Sequence, residues 1–590
     1  MNQNIPRPEY PRPQFTRQEW VNLNGQWTCE FDPGKSGLER GLQNAKGFST
    51  QITVPFCPES KLSGIGHTDF IEAMFYHRKL EIPAPWAGKR ILLHFGGVDY
   101  ECELFLDGKS AGTHFGGSVS FSFDITEFVS PGKTYDLVLH VKDDRRGLSQ
   151  PSGKQAFDWK SSGCFYTRTT GIWQTVWMEP VSKQGISSCR INPDFDRQRF
   201  IFRPCFFQDF MGSQLTIRVL AAGQLAGSVT VPANSGISVE VPLDIVHPWT
   251  PEDPFLYDVE YYLTDPSGCR IDTVSAYAGL RKVHLENGMF YLNNEPVYLR
   301  FVLDQGFYPD GIWTAPSDED LKKDIQLSKD AGFNGARLHQ KVFEERFHYW
   351  ADRMGYLTWG ESASWGLRCF SHPDDSLATW KGMFNFLAEW KEILERDYNH
   401  PSIIAWTPAN ETWPGQDLPL FRKLIAEIYN VTKAFDPSRP CNECSGYHHV
   451  KTDTWTVHYY AKDAEDLKNG LNPKDKPVFI KEQDTGYHGQ PYIVDEIGGF
   501  LFISPDRQNF ADNTWGYHGM NFTEEDSFCQ MLEEQIKVLL DMPNMAGFCY
   551  TQLTDVEQEQ NGVYYYDRSP KVSAGKLAAI FGQVPARAKR

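Results

Sequence analysis

The pattern of apolar and polar positions changes twice along the chain. From Arg17 to about Pro180, short apolar runs alternate with turn residues, as in Arg90–Phe95 and Glu103–Leu106. The pair Asp107-Gly108 after the second run is a hairpin signal, because both central residues of the favoured two-residue turn need a positive φ. This pattern predicts an N-terminal jelly-roll β-sandwich over residues 1–182.

A second all-β stretch covers residues 183–281 and contains short alternating strands such as Gln214–Val219. Its size suits an immunoglobulin-like sandwich. From Lys282 onwards strands alternate with amphipathic helices, which indicates a parallel α/β domain. The remaining stretch, 282–590, is long enough for a (β/α)8 barrel, which takes about 250 residues. We therefore expect a three-domain protein with a C-terminal barrel.

The barrel elements can be predicted from strand-length apolar runs and from helix start and stop signals. The predicted strands are Val297–Leu303, Asn334–Leu338, Tyr356–Trp359, Ser402–Trp406, Thr454–Val457, Tyr492–Val494 and Met545–Tyr550. The fifth strand has no clear signal. The predicted helices are one that starts at a Ser317–Asp320 capping box and stops at Gly332, then Phe343–Met354, Trp380–Tyr398 and Glu524–Leu540.

Two of these strands run into a glutamate. Glu411 follows Ser402–Trp406 in a loop that contains proline and tryptophan, and Glu496 follows Tyr492–Val494 and precedes two glycines. Barrel enzymes keep their chemistry at the C-terminal ends of the strands. A surface acid is the plain alternative for either residue alone, but the repeated setting favours a pair of functional carboxylates.

Several segments of this chain resemble glycoside hydrolase family 2, the family of many β-galactosidases, β-glucuronidases and β-mannosidases. Asn410-Glu411 is similar to its acid/base signature, and Glu496-Ile497-Gly498 is similar to its nucleophile segment. The segments Phe95–Tyr100, Thr167–Gln174 and His247–Tyr257 are similar to parts of its two β-sandwich domains.

The resemblance implies a role for each of these residues. Asn410 would hold the sugar 2-hydroxyl, Glu411 would protonate the departing oxygen, and Glu496 would attack the anomeric carbon. We therefore expect a retaining exo-glycosidase. Glu411 should have its pKa raised while Glu496 carries its charge, so a bell-shaped pH profile is expected.

Two other acids compete with Glu496 for the nucleophile position. Glu482 also follows a short strand, Pro477–Ile480, but lacks the glycines of the family pattern. Asp495 precedes Glu496 directly, so strand alternation predicts that its side chain points to the opposite face. We prefer Glu496.

Polar and aromatic residues collect at the predicted strand ends, where a substrate pocket should lie. Each alone is readily explained as a hydrogen-bonded core residue, but buried charges are costly unless they are paired or functional. The resemblance implies that Arg337 stands where the family keeps an arginine near the nucleophile, and a cation there would keep Glu496 ionised. The candidate substrate-binding residues beside Asn410 are Asp304, Gln305, Arg337, His339, Glu361, Trp413, His458, Tyr459, Gln552 and Asp555.

The identity of the sugar is less well defined. Glucuronidases of the family hold the substrate carboxylate with Asn-x-Lys, whereas Glu559-Gln560-Asn561 stands at that place here. A glucuronide would meet an acid, so we expect a neutral sugar, with a β-galactoside first. A β-mannoside, a β-galactofuranoside and an α-L-arabinofuranoside remain open, because Leu303–Pro309 and Arg337–Lys341 differ from the corresponding segments of familiar β-galactosidases. A non-catalytic carbohydrate-binding protein is the alternative from another class.

Composition narrows the set of partners. The net charge of -18 argues against a nucleic-acid or anionic-membrane partner, and no apolar run has membrane-spanning length. The N-terminus has no apolar core segment, and the twelve cysteines are scattered, so we expect free thiols and a cytoplasmic protein. The close pair Cys441 and Cys444 is expected to be two buried thiols rather than a zinc site. No cofactor or metal is expected, and a homo-oligomer remains open.

Overall fold

The computed structural model describes residues 5–209, 211–471, 486–504, 507, 514–585 and 588. Within these ranges the chain forms two antiparallel β-sandwiches followed by a parallel α/β barrel, as the apolar pattern predicts. The rival acid Glu482 and the strand predicted before it lie outside the described residues.

The first sandwich is built from twelve strands around a main apolar core. Its strands are β1 (Val21–Asn22), β2 (Gly25–Phe31), β3 (Thr50–Val54), β4 (Ala73–Glu81), β5 (Arg90–Phe95), β6 (Val98–Asp99), β7 (Glu101–Leu106), β8 (Lys109–Phe115), β9 (Phe121–Asp124), β10 (Thr134–Lys142), β11 (Gly171–Ile172) and β12 (Val176–Val181). One sheet has the order β3-β2-β4-β10-β7-β8 and the other β1-β12-β5-β9, while β6 pairs with β11. The turn between β7 and β8 has positive φ at Asp107 (47°) and Gly108 (77°), as the hairpin signal predicts.

The second sandwich has two smaller antiparallel sheets. Its strands are β13 (Ile186–Asp194), β14 (Arg199–Phe206), β15 (Gln214–Ala221), β16 (Gln224–Pro232), β17 (Val239–Pro242), β18 (Tyr257–Thr264) and β19 (Arg270–Ala278). The sheets have the orders β13-β14-β17 and β16-β15-β18-β19. Alternate residues of β15, namely Leu215, Ile217 and Val219, are fully buried because successive side chains of a strand point to opposite faces.

A three-stranded meander lies between the second sandwich and the barrel. It consists of β20 (Val283–Glu286), β21 (Met289–Leu292) and β22 (Glu295–Val297). Its residues Val283 and Phe290 share an apolar cluster with Leu299, Leu357 and Ile493 from the first halves of barrel strands. The meander therefore packs against the N-terminal end of the barrel and leaves the C-terminal end free for a pocket.

The barrel contains the longest helices of the described chain. Its strands are β23 (Leu299–Asp304), β24 (Gly335–Leu338), β25 (Leu357–Glu361), β26 (Ile403–Thr407), β27 (Ala409–Asn410), β28 (Cys444–Ser445), β29 (Trp455–His458), β30 (Tyr492–Gly498), β31 (Leu501–Phe502), β32 (Asn521–Phe522) and β33 (Met545–Thr551). Its helices are α1 (Asp318–Asp330), α2 (Glu345–Met354), α3 (Arg368–Ser371), α4 (Leu377–Asp397), α5 (Leu418–Phe435), α6 (Ala464–Leu471), α7 (Glu525–Asp541) and α8 (Ala574–Phe581).

The parallel sheet of the barrel has the order β26-β25-β24-β23-β33-β30-β29. Beyond β26 the chain continues as β27, which pairs in parallel with β28. The strand β28 therefore occupies the fifth position of the barrel. It has only two residues, which explains why the sequence contains no apolar run that predicts it.

Two predicted helix starts need correction. The Ser317 hydroxyl does not accept a backbone N–H at the start of α1 and instead donates to the Asp320 carboxylate at 2.7 Å, so the predicted capping box is wrong. Helix α4 begins at Leu377, three residues earlier than predicted, because the Ser376 hydroxyl caps it by accepting from the Thr379 N–H at 3.4 Å.

No helix among the described residues combines the length and the apolar character that a membrane crossing requires. All twelve cysteines lie within the described ranges and are free, as their scattered spacing predicts. Cys441 and Cys444 are buried, and burial raises the pKa of both thiols, that of Cys444 to about 12. They are buried thiols, as the sequence interpretation favoured.

Candidate active site

Glu411 and Glu496 face each other across the C-terminal end of the barrel. Glu411 follows β27 directly, and its backbone N–H donates to the Ser445 carbonyl of β28 at 2.8 Å. Glu496 lies near the end of β30, so both carboxylates are carried by the strand ends that the sequence indicates. One carboxylate oxygen of Glu411 lies within 4.8 Å of one carboxylate oxygen of Glu496.

His458, at the end of β29, connects the two glutamates. Its Nδ1 lies 2.7 Å from a carboxylate oxygen of Glu411, and its Nε2 lies 3.4 Å from one of Glu496. Burial lowers the pKa of this imidazole, but the carboxylates of Glu496, Asp495 and Glu411 outweigh burial and raise it overall. The position of His458 between the two acids therefore favours its imidazolium form.

The surroundings of the two glutamates favour their ionised forms. Burial raises the pKa of each, but the hydrogen bond and charge of His458 lower the pKa of Glu411 below its ordinary value. The charges of His458 and Arg337 do the same for Glu496. The predicted rise in the pKa of Glu411 is thus wrong for the substrate-free protein, because the neighbouring imidazole holds the proton.

Arg337 on β24 is fully buried, and its guanidinium contacts several side chains around the glutamate pair, among them Glu496, Asn410 and Glu361. Its guanidinium lies 3.0 Å from a Glu496 carboxylate oxygen and donates to the side-chain oxygen of Asn410 at 2.5 Å. From below, Glu361 on β25 accepts from Arg337 Nε at 2.7 Å. Glu361 therefore orients Arg337 rather than contacting the pocket itself.

His339 and Asn410 complete this side of the pocket. His339 Nδ1 lies 3.0 Å from Glu361, and burial with the nearby cations Lys154 and Arg337 lowers its pKa well below the ordinary value, so it is neutral. The side-chain amide nitrogen of Asn410 is buried without a hydrogen-bond partner in the described part of the chain. An unpaired buried donor is costly, so it is suited to a ligand oxygen.

Tyr460, rather than the predicted Tyr459, reaches the nucleophile candidate. The Tyr460 hydroxyl donates to Glu496 at 2.5 Å, whereas the Tyr459 hydroxyl donates to Asp466 at 3.2 Å on α6. Side chains alternate along an extended segment, so Tyr460 lies on the same side as His458. This alternation could have identified Tyr460 from the sequence.

Asp495 also faces the interior, which contradicts the prediction from simple alternation. Its carboxylate accepts from the Ser445 hydroxyl at 2.5 Å and lies 3.8 Å from Arg337. The pairing of β30 with β33 is irregular between Val494 and Ile497, and such a bulge allows two successive side chains to point inwards. Asp495 has no exposed side-chain surface, whereas 7% of the Glu496 side chain is exposed.

Two candidates lie away from the glutamate pair. Asp304 pairs across the sheet with Leu338, whose side chain belongs to the helix-facing core, and its carboxylate accepts from the Gly306 N–H at 2.9 Å. Burial raises its pKa to about 7. Asp555 binds Lys571 at 2.6 Å and the Gly562 N–H at 2.9 Å. Both acids stabilise local structure instead of facing the pair.

Gln305 and Gln552 belong to a polar network that joins the barrel to the first sandwich. Gln305 Nε2 donates to the Tyr166 hydroxyl at 2.7 Å and to the Gln552 side chain at 2.5 Å. The Tyr166 hydroxyl in turn donates to Glu559, which also accepts from Asn561 at 3.0 Å. This network forms the wall of the barrel mouth that contains Glu559.

The first sandwich adds Lys154, which the sequence analysis missed. Gly153 has a φ of 54°, and a Cβ there would lie 2.1 Å from the Gln340 carbonyl, so glycine allows this loop to touch the barrel. Lys154 is 6% exposed, and among the described residues no carboxylate oxygen lies within 4 Å of its ammonium. Burial lowers its pKa, but the charges of Glu559, Glu496 and Glu411 raise it overall, so the ammonium lies within electrostatic reach of these three acids.

Glu411, His458 and Glu496 are also the residues of the described chain that could offer one atom each to a metal ion. One feature opposes this use. The guanidinium of Arg337 already neutralises Glu496 at 3.0 Å. The set is better suited to moving a proton between His458 and Glu411.

A barrel with paired glutamates at the C-terminal end of its strands, preceded by two β-sandwiches, defines a glycoside hydrolase. The model "Glycosyl hydrolases family 2, TIM barrel domain" matches residues 283–584, half of the chain. The family's sugar binding domain matches residues 66–167, and a further "Glycosyl hydrolases family 2" model matches residues 215–281. The chain therefore belongs to glycosyl hydrolase family 2, and the predicted family and enzyme class are confirmed.

The relatives of this chain are named after two different activities, β-glucuronidase and β-galactosidase. A β-glucuronidase of Paenibacillus borealis is 22% identical over 98% of both chains. A β-galactosidase of Pseudoalteromonas haloplanktis is 31% identical over 77% of this chain and 42% of its own length. A relative in Formosa agariphila is 29% identical over 62% of this chain, which corresponds to 44% of its own length. The chain thus spans less than half the length of two of these relatives.

The fold is also found in a solved structure. The β-glucuronidase of Ruminococcus gnavus superposes with a TM-score of 0.80 at 19% sequence identity, over 98% of this chain and 100% of that one. At this identity the likeness concerns the fold: the order of two sandwiches and a barrel is the same along nearly the whole chain.

Proposed function

We propose that this chain is a retaining exo-glycosidase that releases a terminal β-linked sugar, with Glu496 as the nucleophile and Glu411 as the acid/base. The separation of the two glutamates supports this assignment, since one oxygen of each lies within 4.8 Å of the other. Retaining enzymes hold their carboxyl groups about 5 to 5.5 Å apart, whereas inverting enzymes need about 6.5 to 9.5 Å to admit a water.

The first half of the reaction starts with Glu496. Its ionised carboxylate, oriented by Arg337 and by the Tyr460 hydroxyl, attacks the anomeric carbon while the bond to the leaving oxygen breaks. Glu411 gives that oxygen a proton, which reaches the carboxylate from His458 at 2.7 Å. Asn410, held by Arg337, is placed to donate to a sugar hydroxyl with its free amide nitrogen.

The second half reverses these roles. Glu411, now deprotonated, takes a proton from a water as its oxygen bonds to the anomeric carbon, and the ester to Glu496 breaks. Because the anomeric carbon is attacked twice from opposite sides, the product keeps the β configuration. Proton NMR during early turnover should therefore show the β anomer first; initial release of the α anomer would contradict the mechanism.

A neutral sugar is our first candidate substrate, with β-galactoside ahead of β-mannoside, β-galactofuranoside and α-L-arabinofuranoside. The pocket already contains ionised Glu411 and Glu496, and Glu559 occupies its wall with two carboxylate oxygens that can accept further hydrogen bonds. A sugar carboxylate would add a like charge, whereas a hydroxyl can donate to Glu559 and accept from Lys154.

A β-glucuronide is the second candidate, and one observation favours it. Lys154 is a buried cation without a carboxylate within 4 Å among the described residues, so it could neutralise a uronate. The names of the P. borealis and R. gnavus relatives point in the same direction. For either candidate substrate, we expect the Lys154 ammonium to bind an oxygen of the sugar.

A panel of p-nitrophenyl glycosides assayed with wild type and Lys154→Met separates the two candidates. We expect β-galactoside to be hydrolysed best, and Lys154→Met to lower its kcat/KM about 10- to 100-fold, because a buried charged hydrogen bond to the sugar is lost. Preferred hydrolysis of the β-glucuronide, with loss in the variant, would establish the second candidate. Lys160→Met removes an exposed lysine of the same loop and should match wild type.

The pH dependence of kcat/KM should be bell-shaped and wide. Activity needs ionised Glu496, whose pKa lies below its ordinary 4.5, so the acidic limb should fall below pH 4.5. It also needs the proton held by the His458–Glu411 pair, and His458 loses it only above its ordinary 6.5. The basic limb should therefore lie above pH 6.5.

Replacing His458 by asparagine should narrow this profile from both sides. Without the imidazolium, the pKa of Glu496 rises and the acidic limb moves up, while Glu411 alone must hold the proton and the basic limb moves down. His284→Asn, on the distant β20, serves as the control. A profile with unchanged limbs in His458→Asn would exclude His458 as the proton store.

A further inference from the structure

A cavity of about 230 Å³ opens beside Glu411. Asn410 and Glu411 line it, and Glu496 does not. In the proposed reaction, on which this inference rests, Glu411 protonates the leaving oxygen. The group attached to that oxygen must therefore extend past Glu411, and this cavity is where it would lie.

The walls of the cavity are aromatic and come from two domains. The first sandwich contributes Phe157 and Phe165, whose ring centroids lie 5.0 Å apart, and the barrel contributes Trp365, Phe370 and Trp413. The ring of Phe165 lies 5.3 Å from that of Trp365, so the two domains meet in one continuous aromatic surface.

Few polar groups of these walls are free to bind a hydroxyl. The Ser364 hydroxyl accepts from Gln340 at 3.1 Å and from the Asn410 N–H at 3.2 Å. The Ser371 hydroxyl donates to the Leu367 carbonyl at 3.2 Å. The indole N–H of Trp365 donates to the Asn410 carbonyl at 3.1 Å. A second sugar would therefore bury hydroxyls with few partners, which costs free energy.

We propose that this cavity is the leaving-group site and that it selects an aromatic aglycone, so the substrates are aryl β-glycosides. A cavity of about 150 Å³ with apolar walls is large enough for benzene, so 230 Å³ admits one substituted ring or two fused rings. Trp413 is 45% exposed at the open edge, where a longer aglycone can leave the cavity and stack on the indole.

The glycosyl-enzyme intermediate allows a test that does not depend on leaving-group chemistry. An alcohol in this site can replace water: its oxygen bonds to the anomeric carbon, the ester to Glu496 breaks, and its proton goes to Glu411. With a p-nitrophenyl glycoside as donor, 2-phenylethanol should accept the sugar about tenfold more efficiently than ethanol. Equal transfer to both alcohols, or preferred transfer to glucose, would overturn the proposal.

Trp413→Ala should reduce the preference for 2-phenylethanol over ethanol about tenfold, and Trp413→Phe should keep most of it because a ring remains. Trp380→Ala is the matched control: this tryptophan on α4 is 42% exposed and does not line the cavity. An unchanged preference in Trp413→Ala would also contradict the proposal. Failure of the wild type to hydrolyse any glycoside would instead refute the proposed function, so the two failures are distinguishable.

Discussion

Replacing Glu496 by alanine should lower kcat on the order of 10⁴-fold or more, because the carboxylate that forms the covalent intermediate is removed. This loss corresponds to about 5.4 kcal/mol in activation free energy. Sodium azide should restore part of the turnover, since the small anion fits the space of the missing carboxylate. The product should be an α-glycosyl azide, because azide attacks once from the Glu496 side.

Two further variants test the assignment against its rivals. Glu496→Gln keeps the shape of the side chain without its charge, so it should be as inactive as the alanine variant. Azide should not restore its turnover. Glu482→Ala removes the competing acid and should retain activity. Loss of activity in Glu482→Ala with azide rescue, beside an active Glu496→Ala, would transfer the nucleophile role to Glu482.

The sequence indicates the barrel and its two glutamates because these depend on local signals. A short apolar run buried on both faces marks each of the strands β26 and β30, and an acid at its end marks the site. The positions of Arg337, His339 and Glu361 follow from the same strand geometry: they lie at the ends of β24 and β25 and meet at hydrogen-bond distance.

Local signals do not indicate where strands deviate from regular pairing. The irregular register of β30 turns Asp495 inwards together with Glu496, and no sequence feature marks this bulge. Acids at strand ends can also be structural, as Asp304 and Asp555 are, because a buried carboxylate only needs a nearby donor such as Gly306 or Lys571.

Residues from another domain are the hardest to predict. Lys154 lies more than 250 positions before Glu411 in sequence. The residue pattern of its loop does not predict a contact with the barrel. Its place in the pocket depends on the contact that Gly153 makes with Gln340, through a backbone approach that a side chain would block. The same docking brings Phe157 and Phe165 to the leaving-group cavity.

The buried charges around the glutamates also explain why the expected acid is ionised before substrate binds. A like charge nearby raises the pKa of a carboxyl, and the raised pKa expected for Glu411 depends on the charge of Glu496. The structure instead places His458 in contact with Glu411, and the charges of His458, Lys154 and Arg337 lower its pKa despite burial. In the proposed reaction the acid is therefore the His458–Glu411 pair, whose two groups lie 2.7 Å apart and share one proton.

Replacing Glu411 by alanine should produce a loss that depends on the leaving group. For an alkyl β-glycoside, whose alkoxide cannot leave without a proton, kcat/KM should fall about 10²- to 10⁴-fold, the usual contribution of general acid catalysis. For a dinitrophenyl glycoside, whose phenolate leaves unaided, kcat/KM should stay within about tenfold of wild type, since attack by Glu496 is intact.

The second step of the same variant gives an independent measurement. Without Glu411 no base activates the water, so the glycosyl-enzyme should accumulate from the dinitrophenyl glycoside and show a burst of dinitrophenolate. Azide needs no base and should release the sugar as the β-glycosyl azide, the opposite anomer to that from Glu496→Ala. Equal losses on alkyl and dinitrophenyl glycosides would show that Glu411 does not protonate the leaving group. The opposite anomers of the glycosyl azides from Glu411→Ala and Glu496→Ala would together assign each glutamate to its own face of the sugar.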